Sequence, residues 1–160
     1  METFVAEELP TLLTDIEGLD FDRVSISGHS MGGHGAISLA LKFPGRYQSI
    51  SAFSPICAPA TCPWGKKAFS AYLGTDEALW KQHDSCDLIL GGAPHIPLLV
   101  DQGASDPFIE EQLRPELLLA ACKGVGFPTT YREQMGYDRI YFFIASFIEG
   151  HLRFHYEYLA

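Results

Sequence analysis

The segment Gly28-His29-Ser30-Met31-Gly32 has the spacing Gly-x-Ser-x-Gly, which a serine nucleophile needs where a strand turns directly into a helix. Such a turn holds the serine in a strained backbone conformation, and small residues two positions to either side let neighbouring backbone pass. The hydroxyl is lifted off the sheet at a helix N-terminus. There the helix dipole and the free N–H of Met31 face the oxyanion that develops on an attacked carbonyl. The hydroxyl then needs a base, and the base an orienting acid, in the chain order Ser, acid, His. Asp106, in the loop Gly103-Ala104-Ser105-Asp106-Pro107-Phe108, is placed to reach back to the strand ends, whereas Asp101 reads as a structural strand-end residue. Asp106 has a plainer reading as N-cap of the next helix, with Pro107 at its first position.

The base is where the pattern breaks. It belongs in the loop after the fourth strand, and Gln134-Met135-Gly136-Tyr137-Asp138-Arg139-Ile140 contains no histidine. The histidines beyond Asp106 are His151 and His155, four apart on one face of the last helix. That spacing suits a metal, but no third ligand accompanies them, so they read as packing or surface residues. His151 serves as base only if its helix brings it within ~3 Å of the hydroxyl. His29 reads as a residue packed behind the turn. Cys57, Cys62, Cys86 and Cys122 match no zinc spacing, and none lies on a nucleophile turn.

The elements that must position Ser30 follow from periodicity. Phe4, Val5, Leu9, Leu12, Leu13 and Ile16 form a helical stripe interrupted by Pro10. Strands are expected at 23–27, 49–53, 96–101 and 129–133, and helices at 31–42, 108–122 and 140–158. Strands alternating with helices argue for a parallel α/β sheet. Residues 55–94 are rich in Pro, Gly and aromatics and read as an insertion over the sheet, with a short helix near 77–83. The whole 1–160 reads as one domain.

The 160 residues are 47% hydrophobic and carry a formal charge of −9. That charge argues against nucleic acid or an anionic membrane as partner, and no apolar run approaches the roughly 20 residues of a membrane span. The acidic start, Met1 to Glu8, lacks the basic region of a signal peptide. A cytosolic location with reduced thiols is expected on those grounds.

Taken further, Gly28-His29-Ser30-Met31-Gly32-Gly33-His34-Gly35-Ala36 closely resembles the nucleophile turn of the S-formylglutathione hydrolases, also called esterase D. So do Ser51-Ala52-Phe53-Ser54-Pro55-Ile56-Cys57, Cys62-Pro63-Trp64-Gly65-Lys66-Lys67-Ala68-Phe69, Tyr72-Leu73-Gly74-Thr75-Asp76, Asp101-Gln102-Gly103 with Asp106, and Gly136-Tyr137-Asp138. The resemblance runs in order over essentially the whole chain. It implies the C-terminal portion of an α/β-hydrolase fold, a mostly parallel sheet with flanking helices. It also implies a cytosolic, cofactor-free and metal-free serine hydrolase that cleaves the thioester S-formylglutathione to glutathione and formate in formaldehyde detoxification, and that hydrolyses small acyl esters. Position by position, Ser30 would be the nucleophile, Asp106 the acid, and Met31 the donor of one oxyanion N–H.

Two departures bear on activity. Where the family reads Gly-Tyr-Asp-His-Ser-Tyr this sequence has Gly136-Tyr137-Asp138-Arg139-Ile140-Tyr141, so Arg139 occupies the base position. A guanidinium stays protonated in proteins and cannot accept the serine proton, though it can pair with Asp106 and hold the loop. The family also carries a further N-terminal half, with the first strands and the second oxyanion donor. Without those strands the 23–27 strand exposes an edge, met by self-association (a homo-oligomer) or by marginal stability. The main expectation is therefore a hydrolase acting through Ser30; the other is a catalytically impaired remnant acting by binding. Trp64 and the Lys66-Lys67 pair read equally as pocket contacts for a glutathione carboxylate and as a buried aromatic beside a solvated basic turn.

Overall fold

The computed structural model describes residues 1–160. Four strands, β1 (Ile26–His29), β2 (Ile50–Phe53), β3 (Leu98–Gly103) and β4 (Thr129–Gln134), form one sheet in the order β1-β2-β3-β4. Every pairing is parallel, with Gly28 opposite Ala52, Ala52 opposite Val100, and Val100 opposite Tyr131. The helices are α1 (Leu9–Leu13), α2 (Met31–Lys42), α3 (Pro63–Tyr72), α4 (Glu77–Trp80), α5 (Ser85–Leu90), α6 (Pro115–Val125) and α7 (Tyr141–Leu159). A wide helical turn, Phe4–Glu8, leads into α1.

Alternation along the strands assigns the two faces of the sheet. Ile50, Ala52, Leu98 and Val100 join Ile37 and Ala40 of α2, Ile89 of α5, and Leu118 and Ala121 of α6 in the main core. The intervening residues Ser51, Phe53 and Asp101 point to the other face, where they meet His151 and His155 of α7. α7 thus covers the face opposite α2, α5 and α6. β1 is an edge strand. Beside it lies an apolar hollow of about 210 Å³ lined by Val5, Leu9, Leu13, Phe21, Val24 and Ile26.

Several expected elements shift, among them the third strand, expected at 96–101 and found at Leu98–Gly103. The first strand forms at Ile26–His29 rather than at 23–27, because its ladder starts opposite Ile50 and runs into the turn, where Ser30 N–H donates to Phe53 O at 2.8 Å. The helix expected over 108–122 is broken into a wide turn, Ile109–Leu113, and α6. Pro115 has no N–H to continue the first piece, and Arg114 before it takes a left-handed conformation, φ 53 and ψ 51. The helix expected near 77–83 is the short α4, while α5, in the stretch read as an insertion, packs into the main core through Ile89.

The α7 face is polar beneath the helix. His155 stands between Ser49 Oγ and Ser51 Oγ, 2.8 Å from each, and Ser51 Oγ–H donates onward to Ser27 Oγ. Ser51 therefore accepts from Nε2–H, and Nδ1 accepts from Ser49. This pattern of one donor and one acceptor belongs to neutral imidazole. Burial pushes the His155 pKa down to about 4. Burial does the same to His34, also to about 4, whose Nε2–H donates to His83 O at 2.8 Å. A histidine whose folded pKa lies below the unfolded value takes up its proton more readily when unfolded. Its contribution is intact above about pH 6.5 and is lost as pH falls toward 4. Stability measured by urea titration should thus fall by on the order of a few kcal/mol between pH 7 and pH 4. A flat profile over that range would contradict the neutral, buried assignment.

Candidate active site

Ser30 joins β1 to α2 with φ 57 and ψ −115, a region that side-chain-bearing residues rarely occupy and that costs of order 1–3 kcal/mol. Neighbouring glycines make the turn possible. A Cβ on Gly28 would stand 2.1 Å from Gly32 O, and one on Gly33 would press on Pro55 at 3.1 Å. Backbone bonds hold the conformation: Ser30 O accepts from His34 N–H at 3.0 Å and from Ile56 N–H at 3.2 Å. Ser54, at the end of β2, is likewise strained with φ 41, and its N–H donates to Asp101 O at 2.8 Å. Ser30 is 8% exposed, and the N–H of Met31 belongs to the first turn of α2, where helix geometry leaves donors free.

The two aspartates differ sharply. Asp101 is fully buried and spent on structure: Arg132 Nε and Nη2 each donate to it at 2.6 Å, Gln134 Nε2 at 3.3 Å, and His151 Nε2 lies at 3.1 Å. Burial alone would raise its pKa, but these partners outweigh burial and hold it below the usual carboxylate value. Asp106, in the loop after β3, accepts the Phe108 N–H on Oδ1 at 2.9 Å. Its Oδ2 is buried with no hydrogen-bond partner. The capping reading of Asp106 therefore accounts for one oxygen, while the other is left over. The loops after β3 and β4 are tied together, Ser105 N–H donating to Tyr137 O at 2.8 Å and Ala104 N–H to Gln134 O at 3.0 Å. Gly103 is required there, since a Cβ would lie 2.0 Å from Asp138 O.

Arg139 does not pair with Asp106. The arginine–carboxylate pairs are Arg114–Glu116, Arg132–Asp101 and Arg153–Glu149, and Arg139 instead donates from Nη2 to Ser30 Oγ at 2.5 Å. Its guanidinium carbon lies 5.6 Å from the Trp64 ring centre and 5.1 Å from that of Phe108, within cation–π range of both. The rings are themselves 4.7 Å apart. Trp64 is fixed by its backbone N–H donating to the buried Gln112 Oε1 at 2.9 Å. Lys66 and Lys67 are exposed and make no ion pair. Phe108 went unnoticed in the sequence, where it reads as a helix start; its position two residues after Asp106 was the available signal. A cleft of about 390 Å³ opens beside these groups, lined by His29, Phe108, Asp138, Arg139, Tyr141 and Ile144.

Neither C-terminal histidine is free for Ser30. His151 is buried, bound to Asp101 and stacked on Phe53 with ring centres 3.7 Å apart, while His155 is held by the two serines. His29 is partly buried; burial first and the Arg139 charge second lower its pKa, and its Nε2 has no partner. No group of three or more His, Cys, Asp or Glu side chains is placed to hold a metal ion, and no helix is long and apolar enough to cross a membrane.

Comparison with known proteins shows the family and the fold. The family model described as Putative esterase covers residues 1–154. The S-formylglutathione hydrolase of Rattus norvegicus is 50% identical over 161 residues, covering 99% of this chain and 57% of the relative; that of Bos taurus is 48% identical with the same coverage. Among solved structures, an S-formylglutathione hydrolase from Agrobacterium tumefaciens superposes with a TM-score of 0.96 at 46% identity, over 100% of this chain and 58% of the other. MPT51 of Mycobacterium tuberculosis, at 20% identity and a TM-score of 0.79, shares the fold. The chain spans about 57% of the length of the curated relatives it matches, corresponding to their C-terminal part. The chain belongs to the esterase family and has the C-terminal portion of an α/β-hydrolase fold.

Proposed function

We propose that Ser30 is the nucleophile of an S-formylglutathione hydrolase-type reaction that Arg139 slows in this chain. The observation that carries the reading is the strained Ser30 at the α2 N-terminus, beside the His29 and Arg139 that line an open cleft, with a buried acid oxygen unclaimed on Asp106. Ser30 Oγ attacks the formyl carbon and the C–S bond breaks. Glutathione leaves as the thiol once protonated, and water releases formate from the acyl-serine. The Met31 N–H stabilises the oxyanion, and Asp106 is the acid that would orient a base. Nothing at Ser30 accepts its proton, because Arg139 is a donor there. Proton removal falls to water or hydroxide, and turnover is correspondingly slow. Formaldehyde catabolism in the cytoplasm is the setting this substrate implies.

The competing reading, an impaired family member that acts by binding, draws on the same Arg139 contact. Steady-state hydrolysis of S-formylglutathione and p-nitrophenyl acetate separates the two. Slow turnover that disappears in Ser30→Ala is expected. Turnover that Ser30→Ala leaves unchanged would remove Ser30 from the chemistry, and none at all above the buffer rate would favour the binding-only reading.

A further inference from the structure

We propose that the Ser30 turn of this chain is a binding site for small carboxylates, with Arg139 as its principal donor. Arg139 has no carboxylate partner, and its side chain makes one hydrogen bond, from Nη2 to Ser30 Oγ. A planar guanidinium presents five N–H donors in a fork that matches a carboxylate, so most of that capacity is unspent. The rings of Trp64 and Phe108 hold the fork at the mouth of the cleft. Ser30 supplies a second, independent indication. It is more than nine-tenths buried, its Oγ accepts from Arg139, and its own O–H hydrogen has no acceptor in the protein. A hydroxyl in that state points to an acceptor brought by a ligand. The Met31 N–H adds a third donor on the same turn.

Two carboxylates oppose an anion here: Asp138, which lines the cleft partly exposed with Oδ1 accepting the Ile140 N–H, and Asp106, which is shielded. Asp106 Oδ2 has essentially no accessible surface, and Oδ1 is engaged by the Phe108 N–H. The overall charge of −9 gives no long-range attraction for an anion, so affinity rests on the three donors. Millimolar affinity, about that of a fragment-sized ligand, is expected. The site does not require Ser30 to be acylated, so it stands or falls separately from the hydrolytic reading.

The test is titration with sodium acetate at constant ionic strength, with chloride and neutral acetamide as controls. It is followed by calorimetry and by the indole N–H signal of Trp64, one of two tryptophans. Saturable binding of acetate, with no saturation by acetamide or chloride, is expected. Arg139→Gln should weaken it at least about tenfold, the loss of a charge-assisted pair. Arg139→Lys should recover part of it, as a point charge without the fork. Ser30→Ala, which cannot be acylated, should cost only about threefold, one neutral hydrogen bond. Binding unchanged in both Arg139 variants, or an equal response to chloride, would overturn the proposal.

Discussion

Replacing Arg139 with histidine should raise the hydrolysis of p-nitrophenyl acetate by about 10²–10⁴-fold, the usual contribution of a positioned general base. The site is already arranged for one. Ser30 sits in a strained turn in contact with Arg139, which lines the cleft, the loop bearing position 139 is tied to the loop bearing Asp106, and Asp106 Oδ2 is buried with nothing to accept from. An imidazole introduced there can take the Ser30 proton on one nitrogen while its other N–H donates to that oxygen. The arginine does neither. The pH profile should change with the rate. Without a base the unmodified chain depends on hydroxide, so its rate should climb steadily with pH. The Arg139→His variant should instead level off above a midpoint near the ordinary histidine value of about 6.5. Adding Asp106→Asn to that variant should remove most of the gain. An unchanged rate and profile in Arg139→His would show that proton transfer at Ser30 is not what limits this chain.

The second large effect is structural. Asp101→Ala should destabilise the fold by about 3–5 kcal/mol, as expected when one member of a buried ion pair is removed. The value should lie at the lower end, because Arg132 is 37% exposed and can rehydrate, whereas His151 is 1% exposed and cannot. For a chain of this size that corresponds to a fall in Tm of roughly 10 °C, readable by thermal melting. A loss below about 1 kcal/mol would mean that the Asp101–Arg132–His151 cluster is not the anchor of α7. The same experiment separates the two aspartates. Asp101 changes should act on stability, whereas Asp106 changes should act on the chemistry of the Arg139→His variant.

Much of this was legible in the sequence. Gly28, Ser30 and Gly32 announce the strained turn, and the structure shows why Gly28 is needed: a Cβ there would stand 2.1 Å from Gly32 O. Strands alternating with helices along the chain pointed to a parallel sheet of four strands. Asp101 was recognisable as structural from its place on the strand. What periodicity could not deliver was the direction of side chains across loops. Pairing with Asp106 was open to Arg139, but the Trp64 and Phe108 rings, from segments far apart in sequence, carry it to Ser30. His151 was open as a substitute base until its stacking on Phe53 and its bond to Asp101 placed it under the sheet. The break at Arg114 was marked by Pro115, a signal overridden by the helical stripe running through it.

On the proposed reading, Ser30 is a nucleophile held back by Arg139. Labelling with a fluorophosphonate, which needs an activated hydroxyl, tests it most directly, with the modified residue located by peptide mass spectrometry. Slow labelling confined to Ser30 is expected in the unmodified chain, labelling at least about a hundredfold faster in Arg139→His, and none in Ser30→Ala. Equal rates in the unmodified chain and Arg139→His, or modification at any residue other than Ser30, would contradict that reading.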